Sequence, residues 1–174
     1  MSFETEASVI SAEFKGRLVT LQMTEPTDLR LNVKLQVANE TKTVHFINSG
    51  MPHVVIPVRK IDDVDLRREG AAIRYHKMFS PNGADVNFIE KCEPNKIAIR
   101  TYERGVENET LACGTGSVAS ALIFAASENT SGPIHLIARD GDELQVGFEK
   151  AHGRSLNVTL TGPAEFVFEG QIEI

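Results

Sequence analysis

The chain has 174 residues, 41% of them hydrophobic and 24% charged, with a net charge of −6. That composition excludes a disordered chain, gives enough residues to bury a core, and excludes nucleic-acid binding through a general basic surface. No apolar run approaches the ~20 residues of a membrane helix, Met1-Ser2-Phe3-Glu4 lacks a basic signal-peptide start, and two cysteines cannot form a disulfide framework, so the sequence predicts a cytoplasmic protein with reduced thiols and neither membrane nor nucleic-acid partners.

The first part of the chain predicts strands. Residues 9–14 lead to a turn at Lys15-Gly16, and 18–23 alternate apolar and polar side chains as a half-buried strand does. Residues 31–37 alternate more cleanly and return through a turn at Ala38-Asn39-Glu40 into a strand over 43–47. Asn48-Ser49-Gly50-Met51-Pro52 breaks the pattern with turn chemistry, and Val54-Val55-Ile56 follows as a short buried strand. Asp62-Asp63 predicts a helix cap, with the helix running through Arg68 towards Ile73 and interrupted at Gly70. Residues 85–90 and 96–102 read as two strands around a turn at Glu93-Pro94-Asn95. Strands are also predicted at 134–137, 144–148, 156–160 and 165–169.

Residues 117–127 are different. They are rich in small side chains and carry no charge on any face, which predicts a helix buried on all sides and stopped by Gly132-Pro133. The expected fold is therefore α+β, one domain over 1–174 with mostly antiparallel strands wrapped around a buried central helix.

The segment before that helix carries the chemistry. Cys113 precedes Gly114-Thr115-Gly116 at the helix mouth. The first N–H groups of a helix lack internal partners, and their partial charge favours a thiolate and accepts an anion, which glycines allow to approach closely. Glu103-Arg104, ten residues upstream at a strand end, brings an acid and a carboxylate-binding guanidinium towards the same place. The pattern also fits a small buried cysteine beside a glycine turn; the charge-free helix and Glu103-Arg104 favour the reactive reading. Cys92, in the polar stretch Glu90-Lys91-Cys92-Glu93-Pro94, has no glycine cradle and reads as a solvent-facing loop residue. His45, His76, His135 and His152 show no metal-ligand spacing, and no metal site is expected.

The run Tyr102-Glu103-Arg104-Gly105, followed by Ala112-Cys113-Gly114-Thr115-Gly116, resembles the C-terminal half of the diaminopimelate epimerase family. Residues 46–55, containing Gly50-Met51-Pro52-His53, Asp85-Val86-Asn87-Phe88, and residues 162–170 resemble further family segments in the same order. The resemblance implies interconversion of LL- and meso-diaminopimelate, in lysine and cell-wall precursor synthesis, without pyridoxal phosphate or metal. Two cysteines on pseudo-symmetric domains act on opposite faces of the α-carbon, and oriented N–H groups stabilise the carbanion in a site closed to water. By the same resemblance Cys113 is one of the acid/base pair. Asn87, Glu103, Arg104, Gly114 and Thr115 contact the substrate, and His53 and Glu103 tune the cysteines. Met51 stands where many family members have Asn.

The family's other domain, with its own cysteine, has no counterpart in these residues. The expectations are that the chain alone epimerises poorly, that 1–24 and 164–174 form strands packing on an absent N-terminal half, and that their exposed edges invite self-association, as in a homodimer. Two alternatives remain: a related racemase for another amino acid, kept open by Met51, and a non-catalytic carboxylate-binding module.

Overall fold

The computed structural model describes residues 1–4, 9–151 and 153–172; His152 and, within the two expected terminal strand segments, residues 5–8 and 173–174 lie outside them. The strands are β1 (Ser2–Glu4), β2 (Val9–Lys15), β3 (Leu18–Gln22), β4 (Thr27–Val37), β5 (Glu40–Asn48), β6 (Pro52–Pro57), β7 (Asp85–Glu93), β8 (Lys96–Glu103), β9 (Asn108–Thr110), β10 (Ile134–Ile137), β11 (Glu143–Ala151) and β12 (Arg154–Pro163). Two α-helices accompany them, α1 (Leu66–Arg74) and α2 (Gly114–Ser127). The strands form one sheet in the order β1-β2-β3-β12-β11-β10-β8-β7-β6-β5-β4, with β9 paired to β8.

The sheet curls around α2. Gly116 to Ala125 are all buried, packed against Ile47, Val55, Ile89, Ile97, Ile99, Leu136, Val146, Val158 and Leu160 from the surrounding strands. A helix with no polar face is stable only when its surroundings are apolar on every side, and the strands supply that. Alternation splits the sheet's two faces: Val55 and Ile89 point to α2, while Val54, Ile56, Val86 and Phe88 point outward into a second core with Leu66 and Ile73 of α1. No helix among the described residues is long and apolar enough to cross a membrane.

Most pairs are antiparallel, as the sequence predicts, but two are parallel. Strand β6 pairs with β7 across α1, and β8 pairs with β10 across α2. Both helices are therefore crossover connections, which parallel neighbours require.

Several local expectations need correction. Ile61–Asp63 forms its own 3-10 turn, and Asp65 is the true cap of α1, accepting the Arg68 N–H at 3.3 Å. Gly70 does not interrupt α1; it is buried inside it, because a Cβ there would lie 2.6 Å from the Tyr102 side chain. Helix α2 begins at Gly114 rather than at residue 117, since packing overrides the poor helix propensity of glycine. It ends well before Gly132-Pro133. Asn129 takes a left-handed φ of 52°, and the Thr130 N–H bonds to the Ala125 carbonyl at 3.0 Å, a Schellman-type close. Cys92 is exposed as expected, but within β7 rather than in a loop.

The expected strand at 165–169 does not form. Ala164 still donates to the Arg17 carbonyl at 3.0 Å, but beyond it Phe166, Val167 and Phe168 are 95%, 91% and 84% exposed. A β-prone sequence needs a neighbouring ladder, and among the described residues this segment has none.

Gly70→Ala sets helix propensity against packing. Alanine gains about 1 kcal/mol of propensity, yet its methyl must displace Tyr102 in a filled core, which costs ~1–3 kcal/mol or more. The expected result of chemical denaturation is a net loss of stability; a gain would show that Tyr102 moves freely.

Candidate active site

One end of the sheet gathers five pieces of chain. The parallel β6/β7 pairing sets His53 beside Asp85, and the antiparallel β7/β8 pairing sets Asn87 beside Thr101. The end of β8 supplies Glu103 and leads into Arg104, the β5–β6 turn supplies Ser49 and Met51, and α2 brings its N-terminus. The Ser49 hydroxyl donates to the Thr115 carbonyl at 2.9 Å, fastening that turn to the first turn of α2.

Cys113 is the N-cap of α2, in extended conformation, half-buried. Its carbonyl accepts from both the Ser117 N–H, at 2.8 Å, and the Ser117 hydroxyl, at 2.9 Å. Its side chain caps nothing, and no acidic or basic side chain stands in the first turn. The unpaired N–H groups there and the helix dipole form a positive pole with no fixed counter-charge in that turn. Gly116 must be glycine, because a Cβ would fall 2.5 Å from Asn87 Oδ1 and 3.2 Å from Cys113 Sγ.

The helix pole is not the only influence on the sulfur. Burial pushes the Cys113 thiol above its ordinary range, and the nearby Glu103 and Asp85 carboxylates add to that. The Gly116 N–H and the Thr115 hydroxyl, 3.6 Å from the sulfur, pull the other way and do not prevail. Desolvation of the charged form outweighs the two donors and leaves the thiol above its ordinary range.

His53 is fully buried. Burial, and secondarily the charge of Arg104, lowers its pKa to about 3, so its ring is neutral. Its Nδ1 lies 3.2 Å from Asn87 Nδ2, while its Nε2 has no hydrogen-bond partner and sits 3.8 Å from Asp85 Oδ2, too far for a hydrogen bond. With a neutral ring this contact is not an ion pair.

Asn87 is also fully buried, and its amide is engaged inside the protein. Its Nδ2 donates to the Val54 carbonyl at 3.2 Å, and its Oδ1 accepts from the Thr101 hydroxyl at 2.9 Å. In this structure it forms the floor under Gly116. Asp85, two residues earlier on the same strand face, was not singled out from sequence. It is 4% exposed and accepts the Arg104 N–H at 2.6 Å. Burial raises its pKa against the pull of Arg104. Only an acid at the start of an apolar strand could have signalled it. Ser49, hidden in a turn-like sequence, gave no signal of its contact with α2.

Arg104 leans over the site's rim, with Nη1 donating to the Asn82 carbonyl at 3.4 Å and Nη2 3.5 Å from Met51 Sδ. The structure thus brings Cys113, Gly114, Thr115, Glu103, Arg104, His53 and Asn87 to one end of the sheet, while Cys92 lies at the far end of β7, among the exposed residues.

Two measurements check these electrostatics. The rate of Cys113 alkylation by iodoacetamide should rise with pH along a curve whose midpoint lies above that of an ordinary cysteine, and Glu103→Gln should move it down; a midpoint below the ordinary range would contradict the burial argument. Folding stability should fall as pH drops below about 6.5, at up to ~1.4 kcal/mol per pH unit, because the unfolded state binds a proton that buried His53 refuses. Buried His45 adds the same sign, whereas Asp85, with its raised pKa, opposes it at lower pH. His53→Gln should flatten the slope of urea midpoint against pH; an unchanged slope would rule out a neutral buried His53.

The family model described as diaminopimelate epimerase matches residues 45–167. A protein of Aquifex aeolicus (strain VF5) named diaminopimelate epimerase is 40% identical over 173 residues, covering 98% of this chain and 61% of its own length. One from Chlorobaculum tepidum with the same name is 39% identical over 174 residues, covering 99% of this chain and 65% of its own. The chain therefore spans about three-fifths of the length of these curated relatives. Among solved structures, a probable proline racemase from Agrobacterium radiobacter K84 has a TM-score of 0.74 at 17% identity, over 99% of this chain and 60% of that one. A PhzF-family phenazine biosynthesis protein from Bacillus anthracis has a TM-score of 0.68 at 14% identity, over 99% and 68%. The two structures share its fold, and the family match and the sequence relatives place this chain in the diaminopimelate epimerase family.

Proposed function

We propose that this chain carries one side of a two-thiol, cofactor-independent site that inverts the α-carbon of an amino acid, with diaminopimelate as the substrate. The observation that carries the reading is the Cys113 thiol standing as N-cap at the N-terminus of a buried, charge-free helix. The substrate α-carboxylate rests on the N–H groups of Gly114, Thr115 and Gly116, where the helix pole offsets the charge of the developing carbanion. A base outside these residues takes the α-proton from one face, leaving the electron pair on carbon. Cys113 then delivers its proton to the opposite face, forming the new C–H bond and becoming a thiolate. The Glu103 charge raises the thiol's pKa, which keeps the proton on Cys113 until the carbanion, a far stronger base, takes it, while Arg104 holds a substrate carboxylate.

One thiol serves one face, so inversion requires a second acid/base group from another polypeptide segment, the partner this reading calls for. The names of the relatives support diaminopimelate; a place in lysine and cell-wall precursor synthesis in the cytoplasm is part of the same proposal. Met51 beside Arg104 favours a second reading, a racemase of another amino acid, because a thioether replaces a polar contact at the rim.

The test is deuterium incorporation at the α-carbons of LL-diaminopimelate in D2O, with this chain alone and with a separately produced N-terminal half of a relative. The expected result is exchange with inversion only in the mixture, lowered about 10²–10⁴-fold by Cys113→Ala. Exchange undiminished in Cys113→Ala would overturn the role of Cys113. Faster turnover of a different amino acid would favour the second reading.

A further inference from the structure

Arg74, the last residue of α1, makes contacts that its place on the outer layer does not demand. Its side chain is only 13% exposed. Nη2 donates to Glu107 Oε1 at 3.0 Å, and Nη1 donates to the Asn82 carbonyl at 3.2 Å. These two acceptors belong to the two loops that frame the candidate site.

Glu107 passes the constraint on. The same Oε1 accepts the Gly105 N–H at 3.1 Å, and the Glu107 N–H donates to the Glu103 carbonyl at 2.8 Å. One carboxylate oxygen is thus bonded both to α1 and to the tip of the turn that carries Glu103 and Arg104. Glu107 has a left-handed φ of 56°, which a side chain of its size rarely adopts without such bonds. On the other side, the Asn82 carbonyl accepts from Arg104 Nη1 at 3.4 Å as well as from Arg74. Two guanidinium groups therefore converge on one oxygen, and Glu107 compensates the charge of the inner one. The neighbouring Gly83 has no room for a side chain, as a Cβ there would overlap the Arg74 guanidinium and lie 2.6 Å from the Arg74 carbonyl.

We propose that Arg74 is a positioning residue: through Glu107 and Asn82 it fixes the Glu103–Arg104 turn, and hence the guanidinium that meets a substrate carboxylate. This rests on the reading of the turn as substrate-facing given above. The clamp is referenced to a rigid element, because α1 is seated on β8 through the Gly70–Tyr102 contact. Arg suits the role better than Lys because its planar fork reaches both acceptors in one geometry.

The experiment has two readouts on Arg74→Met, Arg74→Lys and Glu107→Gln. The first is the concentration of diaminopimelate that half-protects Cys113 from iodoacetamide, beside the alkylation rate without ligand. The second is hydrogen exchange at the amides of Arg104 and Glu107. Arg74→Met should raise the half-protecting concentration about tenfold while the unliganded alkylation rate stays within about twofold, and Lys should recover part of the loss. Exchange at both amides should accelerate about tenfold or more in Arg74→Met and Glu107→Gln. A folded Arg74→Met with unchanged half-protection and unchanged exchange overturns the proposal. If diaminopimelate does not protect the unaltered protein even when mixed with the N-terminal half of a relative, the proposed function fails, and the exchange rates alone then decide on the clamp. If Arg74→Met does not fold, the Lys and Glu107→Gln variants give the same decision.

Discussion

Helix α2 offers water almost nothing: from Gly116 to Ala125 every residue is buried, and no side chain in it is charged. The strands must therefore surround it, and only its two ends remain accessible, the first turn and the last residues at Ala126 and Ser127. Burial forces the helix into the middle of the sheet, and its length then carries its positive end to the rim. The strand starts at His53 and Asp85 and the strand end at Glu103 meet it there. The candidate site follows from where the buried helix runs out of cover.

The charges around that turn are set by the same burial. A helix N-terminus alone favours a thiolate, but here the sulfur's burial, with the charges of Glu103 and Asp85, pushes the thiol above its ordinary range. His53, deeper still, is kept neutral. The outcome is a site rich in ionisable groups in which the sulfur and the imidazole rest uncharged. Such a site can move protons without first expelling strongly held water.

Much of this was legible in the residues. The absence of charge in 117–127 identified the central helix, and alternation identified strands such as 31–37 and 96–102 within a few residues of their ends. Cys113 with its glycines and Glu103-Arg104 marked the site. What could not be read depends on tertiary contact. Gly70 looks like a helix breaker until Tyr102 lies on it, and Asn129 ends α2 although the stronger punctuation stands at Gly132-Pro133. A sequence shows the helix pole but not the depth of the sulfur, which sets the opposing pull on the thiol. Asp85 and Arg74 were invisible because a lone acid and a lone base mean little until a fold supplies their neighbours. Residues 165–169 have the composition of a strand without a ladder to join.

The pairing of β3 with β12 has a consequence for how the molecule assembles. Leu18 faces Pro163 and Gln22 faces Thr159, so the wall of the sheet joins residues from opposite ends of the chain. Contacts of such sequence separation close large loops and are made slowly, and they place this fold among those whose folding runs in milliseconds to seconds rather than microseconds. During synthesis the β2–β3 hairpin emerges before β12, and β3 lacks that partner until β12 has left the ribosome. Until that moment the future central helix lies in an unfinished wall. The window in which its apolar surface is open to wrong partners therefore extends until β12 is translated, a length of time written into the topology.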